Sequence, residues 1–400
     1  MTNKEKKNRL IELMFVILVS TVVGMISGGA AIFSMLDIKE INLGSNKLTG
    51  DLSEINSVYE DILGKYYKGV KKEDLIKGAI DGMISVLDDP NSSYYDDNEA
   101  SSFNDRLNGK YEGIGIEILA DGMGGILVVG IFEDSPASKS SIKEGDFITK
   151  VDGVSVVGKK ADEVARTIKE SAKNKVVLTL ERDGKEYSET LSLGAITIKS
   201  VKSNIFNRGK EKIGYLKITM FAANTGEQFT KELNRLEKEK ITSLIIDVRD
   251  NSGGYLITVT EILEKFLPKN TIIYKTMGLE GTKERIDTTE EKRNYKVVIL
   301  INEISASASE ILAISLKEQY EAKLIGKKTY GKGTVQQVLD KASGGFAKIT
   351  TQEWLSPNGN HIDKVGVMPD YEIDLNKEKY DSLKPETDTQ LQKALEVIVK

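Results

Sequence analysis

Apolar positions along the chain change their spacing several times, and each spacing predicts a different element. Leu13 to Leu36, "LMFVILVSTVVGMISGGAAIFSML", is an uncharged run of 24 residues, long enough to cross a hydrocarbon core as one helix. Lys4, Lys6, Lys7 and Arg9 precede it, and it is too long, with no A-x-A-like site, for a cleaved signal peptide. The expectation is a transmembrane signal anchor, with its basic flank inside and residues 37 to 400 outside the cytoplasm. Between 51 and 105, "LSEINSVYEDILGKYY" and "KKEDLIKGAIDGMISVLDD" place apolar residues three and four apart, which predicts amphipathic helices. "DDPNSSYYD" (88–96) then reads as a turn. An apolar helical face in this position packs on its own domain or, equally well, on a partner subunit.

From about residue 110 the period shortens to two. "YEGIGIEIL" and "GGILVVGIF" read as strands, and 134–153 as a turn, a short helix and a strand. "ADEVARTIKES" (161–171) is a helix, and "KVVLTLERDGKEYSETL" (175–191) a hairpin turning at Asp183-Gly184. This stretch resembles a PDZ domain of the bacterial, circularly permuted type. The resemblance implies that the amides of the loop Gly113, Ile114 and Gly115 cradle the terminal carboxylate of a peptide. The peptide would add as a strand beside "GIEIL", along Ile116, with Val164 and Ile168 lining the groove for its last apolar side chain. Ser140-Ser141 stands where such domains usually have Ala-Gly, so that turn is expected to be reshaped.

Beyond residue 196 strands and helices alternate. "KIGYLKITMF" leads to "TGEQFTKELNRLEKEK", then to "SLIIDVR", the loop "DNSGG" and the helix "YLITVTEILEKFL". "KVVILIN" is nearly all apolar, as a strand covered on both faces must be. The rhythm predicts an α/β core with a mostly parallel sheet. Active sites in such cores lie at the carboxyl ends of strands, where Gly253-Gly254 and Ser307 both fall.

Composition then removes whole chemistries. With 56 basic and 61 acidic residues, net charge −5, no basic excess argues for nucleic acid. The absence of cysteine excludes disulfides, thiolate metal sites and a cysteine nucleophile, and a single histidine, His361, excludes a histidine-rich metal site. No cofactor and no metal is expected. At 400 residues the chain is long enough for two or three domains.

What remains is serine. "ISASASEILAISL" (304–316) sets Ser305, Ser307 and Ser309 at alternate positions before an apolar helix. Ser307 with Glu310 fits the S-x-x-E capping box, so a helix cap and a nucleophile are both open readings. A serine hydroxyl attacks only if a base takes its proton. His361 lies in the turn-rich "SPNGNHIDKVG", with no partner in sight. Lys332, 25 residues after Ser307 and between Gly331 and Gly333 in "KKTYGKGTVQQ", is the better base. Desolvation must bring its amine from about 10.4 towards about 7 or 8, a cost of about 3 to 5 kcal/mol. Flanking glycines allow backbone to close around the stem, and Gln336 stands where it can orient the amine.

"GKKTYGK" (326–332) copies most of a G-x-x-x-x-G-K-[ST] phosphate loop, yet Gly333 occupies the hydroxyl position and a strand follows instead of a helix. It is not a phosphate loop. For a developing oxyanion, Gly253 and Gly254 with the Ala308 N–H are the natural donors. Nothing in the spacing of Asp247, Asp250 and Glu310 demands a carboxylate pair.

Taken in order, "DPNSSYY", the PDZ segment, "IIDVRDNSGG", "ISASASEI", "TYGKGTVQ", "SPNGNHIDKVGVMPD" and "DTQLQKALEVI" resemble the carboxyl-terminal processing peptidases, or tail-specific proteases, over nearly everything from residue 55 onward. The resemblance implies Ser307 as nucleophile, Lys332 as general base and Gln336 as its support. It also implies dimerisation through terminal helical parts, for which 51–105 and 388–399 are the candidates. Ser252 replaces a usual proline, and "HIDKVGVMPD" is looser than the common pattern, both of which bear on the substrate groove. The expected organisation is a basic terminus and anchor (1–36), a helical region (37–105), an inserted, mostly β PDZ domain (106–194), an α/β protease core (195–387) and a C-terminal helix (388–400). The expected function is a membrane-anchored serine endopeptidase that captures protein or peptide substrates by apolar C-terminal tails. The rival class is a non-cleaving PDZ adaptor on a peptidase-derived core.

Overall fold

The computed structural model describes residues 45–400 except 123, 172–173, 342–343, 377–379 and 382–383. The predicted anchor at 13–36 lies outside the described residues. No helix among the described residues is long and apolar enough to cross a membrane. The chain divides into two units, residues 1–82 and 83–400.

In the first unit the amphipathic prediction is met by the helix Ser45–Lys65 and by most of Lys72–Ser85. Leu52, Ile55 and Val58 follow one another at three-residue spacing, which puts them on one face of the first helix, and each is about half exposed.

In the second unit a six-stranded sheet forms the centre, in the order Val201–Arg208, Glu211–Ile218, Ser243–Asp247, Lys296–Ile301, Lys323–Gly326, Tyr371–Glu372. The first pair is antiparallel and the rest parallel. The near-continuous apolar strands are explained by cover on both faces. Leu244, Ile246, Val297, Ile299 and Ile301 pack with Phe229, Leu233, Val259, Ile262, Ile311 and Leu312 of three helices, Thr225–Lys238, Leu256–Leu263 and Ala308–Tyr320. The alternate residues Ile245, Val298 and Leu300 meet Leu391, Ala394 and Leu395 of the helix Thr389–Val397 on the other side.

A separate antiparallel sheet packs on this core through Ile273, Tyr274 and Trp354, in the order Ser93–Tyr95, Phe346–Leu355, Ile272–Gly278, Gly281–Ile286, with Thr334–Asp340 also paired to Phe346–Leu355. The PDZ segment forms its own sheet, Ile116–Ala120, Ile126–Ile131, Phe147–Val151, Lys175–Arg182, Lys185–Ser192. Asp183 and Gly184 both have φ in the left-handed region (51° and 74°), as a two-residue hairpin of type I′ requires. "YEGIGIEIL", read above as one strand, is two: Lys110–Gly113 and Ile116–Ala120. The break follows from Gly115, whose φ is +82° and where a Cβ would lie 2.1 Å from the Ser135 side chain. Lys110–Gly113 pairs antiparallel with Gly194–Thr197, so the segments that enter and leave the PDZ sheet are zipped into one ribbon.

Candidate active site

The three serines divide their roles. Ser305 and Ser309 are fully buried, and their hydroxyls donate to the carbonyls of Val248 and Asn251, both at 2.8 Å. They fasten the serine turn to the neighbouring loop. Ser307 between them is partly exposed and has φ +55° and ψ −115°, a region that non-glycine residues occupy only under constraint. Its hydroxyl caps nothing. Only the glutamate half of the predicted box forms: Glu310 Oε2 accepts the Ser307 N–H at 2.8 Å, while the Glu310 N–H donates to the Ser307 carbonyl at 2.8 Å. The Ser307 hydroxyl is left available for chemistry.

Gly253 lies against this turn and Gly254 follows it, with φ of +109° and +145°. A Cβ on Gly253 would sit 2.9 Å from Ser307 Cβ and 3.3 Å from the Ala308 N, and one on Gly254 would sit 2.2 Å from the Phe221 carbonyl oxygen. Side chains are excluded at both positions. The Gly253 N–H already donates to Asn251 Oδ1 at 2.9 Å. The Gly254 and Ala308 N–H groups find no acceptor among the described residues, so of the three expected donors these two are unengaged. Asn251 is fully buried, donates to the Ile218 carbonyl at 3.0 Å, and its own carbonyl accepts from the Ala306 N–H at 3.1 Å.

Lys332 is held by its backbone. Its carbonyl accepts from Trp354 Nε1 at 2.9 Å and its N–H donates to Glu310 Oε2 at 2.9 Å. A Cβ on Gly331 would meet the Gly366 N at 3.0 Å, and one on Gly333 the Asp363 N at 2.3 Å, so the flanking glycines do admit close backbone. The amine makes no hydrogen bond or ion pair among the described residues. Burial pushes it below the usual lysine value, Lys348 adds to the shift, and Asp89, Tyr95 and Glu310 pull the other way. Gln336 donates to the Thr334 and Thr350 hydroxyls at 2.9 and 3.1 Å, not to the amine.

Such an arrangement, an uncapped serine beside free amides and a desolvated lysine, suits acyl transfer. Family models match three segments in chain order: the activating protease CtpB N-terminal domain at 27–99, the PDZ domain at 103–193 and peptidase family S41 at 212–373. The carboxy-terminal processing protease CtpB of Bacillus subtilis (strain 168) is 35% identical over 360 residues, 86% of this chain and 75% of that protein. The chain belongs to peptidase family S41. It is a serine protease of the carboxy-terminal processing group and carries a PDZ domain. A probable CtpA-like serine protease of Staphylococcus aureus (strain MRSA252) is 32% identical over 393 residues, 97% of this chain and 78% of that one. A putative S41 protease from Bacteroides fragilis NCTC 9343 has the same fold, with a TM-score of 0.52 at 15% identity over 80% of this chain and 90% of that one.

The expected peptide-binding residues of this S41 protease lie in the PDZ segment, Val164 and Ile168 on its helix Ala161–Lys169. Gly113 ends one strand and Ile116 begins the next, with Ile114 and Gly115 between them. Ile116–Ala120 is the first strand of its sheet, with no strand paired to its outer edge among the described residues. Ile114, Val164 and Ile168 are packed into the PDZ core. His361 is at the surface, its Nδ1 2.7 Å from Glu353 Oε1.

Sequence reasoning undervalued three groups. Asp89 accepts from the Ser92 hydroxyl at 2.6 Å, and Ser92 Oγ accepts from the Thr350 N–H at 3.0 Å, which brings "DPNSSYY" behind Gln336. Tyr95 accepts from Lys348 Nζ at 3.2 Å beside the base. The third, Glu310, reads in the sequence as a cap alone, yet its Oε2 accepts both the Ser307 and the Lys332 N–H.

Proposed function

We propose that this S41 protease is a membrane-anchored endopeptidase in which Lys332 is the general base for Ser307 and the PDZ domain selects apolar C-terminal tails. The observation that carries the dyad is Ser307 itself: a hydroxyl in a strained turn, out of its own helix cap, beside two unengaged amides and next in the network to a desolvated lysine. The neutral Lys332 amine takes the Ser307 proton as Oγ attacks the scissile carbonyl. The Gly254 and Ala308 N–H groups receive the oxyanion, and collapse passes the proton from Lys332 to the leaving amine. Water, deprotonated by the same amine, then releases the acyl group. The Gln336 side-chain oxygen, without a donor among the described residues, would orient the ammonium formed in between.

The apolar run at 13–36 supports the anchor. The open edge of Ile116–Ala120 supports capture of a tail as an added strand. The half-exposed apolar stripe on Ser45–Lys65 supports homodimerisation through the N-terminal helices. A tail bound to the PDZ domain would also gate the site, since the ribbon that carries that domain is hydrogen-bonded into the core.

The test uses the full-length chain in detergent and an unstructured protein ending in apolar residues. Ser307→Ala and Lys332→Ala should each abolish cleavage while melting like the parent. Cleavage that survives Ser307→Ala sinks the assignment, and cleavage that survives Lys332→Ala removes the lysine from it.

A further inference from the structure

We propose that Glu310 is a positioning residue that holds the nucleophile turn and the base loop in register, a role that rests on the Ser307–Lys332 reading above. An ordinary glutamate at the third position of a helix reaches back to one amide at the surface. Glu310 is fully buried and serves four donors. Its Oε2 accepts the Ser307 N–H at 2.8 Å and the Lys332 N–H at 2.9 Å. Its Oε1 accepts the Gly331 N–H at 2.7 Å and the Thr329 hydroxyl at 2.6 Å. One oxygen atom is therefore shared by the backbones of the nucleophile and the base, which lie on different loops.

Four donors and no acceptor fix the chemistry of the residue. Burial pushes the Glu310 carboxyl above the ordinary glutamate value and the four donors pull it back; the ionised carboxylate satisfies all of them, whereas a protonated or amidated side chain would turn a hydrogen towards an N–H. Charge-assisted hydrogen bonds of this kind are about twice as strong as neutral ones, so the clasp is stiff as well as specific. Thr329 extends it outward, since its Oγ1 accepts the Val367 N–H at 2.6 Å. Rates of proton transfer and attack are sensitive to displacements of about 1 Å, so loosening the clasp should reach the chemical step before it reaches substrate binding.

Glu310→Gln is the sharp probe, because it keeps shape and removes one acceptor. In the full-length chain its kcat should fall at least tenfold, with KM within threefold of the parent. The rate at which a fluorophosphonate labels Ser307 should fall in parallel. Glu310→Asp, charged but too short to span both loops, should show the same split. A folded Glu310→Gln with kcat within twofold of the parent, or a loss carried by KM, overturns the proposal. If neither Glu310 variant folds, Thr329→Ala decides: a kcat loss of threefold or more at unchanged KM supports the clasp, and unchanged kcat overturns it. Activity surviving in Lys332→Ala would instead remove the dyad reading, whatever Glu310 does.

Discussion

Ser307, the proposed nucleophile, is held in a backbone conformation that is costly to the fold. Holding a non-glycine residue at φ +55° and ψ −115° costs about 1 to 3 kcal/mol. Ser307→Gly should therefore raise the stability by about 1 kcal/mol while abolishing cleavage, whereas Ser307→Ala should abolish cleavage with no such gain. Denaturant unfolding separates the two, and a Gly variant no more stable than the Ala variant would dispose of the strain. Ser305→Ala and Ser309→Ala should behave oppositely: Ser309→Ala loses about 1 kcal/mol of stability through one buried hydrogen bond, and Ser305→Ala loses more, because its hydroxyl also accepts the Asn302 N–H at 3.0 Å. The pH profile belongs to the same scale. A general base works only when neutral, so with Lys332 as the proposed base kcat/KM should fall as pH drops through its pKa. Burial holds that pKa down, Lys348 adds to the depression, and Asp89, Tyr95 and Glu310 oppose it. Lys348→Gln removes a positive neighbour, raises the pKa and moves the acid limb to higher pH. Asp89→Asn removes a negative neighbour and moves it to lower pH. Shifts in the same direction for both variants would mean that the limb is not that of Lys332.

At the scale of elements, what the chain made legible was local or periodic. "KVVILIN" reads correctly as a doubly covered strand because alternate residues face different helices and all must be apolar. Asp183-Gly184 reads as a hairpin because few residue pairs adopt that turn. The antiparallel sheet was not legible, since Tyr95 pairs with Phe346 across most of the chain and pairing at that distance leaves no periodic trace. Glu310 was misjudged for a similar reason: its partner loop lies too far along the sequence for spacing to show it. Arg249 gives the clearest case of a non-local tie. It is buried in the loop between Ser243–Asp247 and Gly253, and donates to both oxygens of Asp247 and of Asp388 and to Gln390 of the C-terminal helix. Arg249→Met would leave two buried carboxylates unpaired, at a cost of about 3 to 5 kcal/mol. Denaturant unfolding of the variant would read that loss directly, and a loss below about 1 kcal/mol would show the network to be dispensable.

At the scale of the whole second unit, four residues join the PDZ ribbon to the oxyanion loop. On one side the Ala223 N–H donates to the Leu107 carbonyl at 2.8 Å, and Asn224 Nδ2 to the Gly109 carbonyl at 2.9 Å, where the chain turns into the ribbon. On the other side the Phe221 N–H donates to the Gly253 carbonyl at 3.0 Å, and the Phe221 carbonyl accepts the Tyr255 N–H at 2.7 Å. Residues 221–224 thus touch the start of the ribbon, at Leu107 and Gly109, at one end and the proposed oxyanion donors at the other. A Cβ on Gly109 would lie 2.2 Å from Asn224 Oδ1, so ribbon and strut are packed with no slack. The Asn224 oxygen is buried with no donor among the described residues, so this contact is held at a cost and is not a site of strong binding. A tail that shifts the ribbon would be felt at Gly253 through this strut, and cutting the strut should uncouple the two. Under the proposed tail selection the parent should prefer the tailed version of one substrate, and Asn224→Ala is expected to cleave tailed and tailless versions at nearly equal kcat. The comparison needs only those two substrates and the full-length chain. If Asn224→Ala keeps the parent's ratio of kcat values, the signal does not travel through residues 221–224.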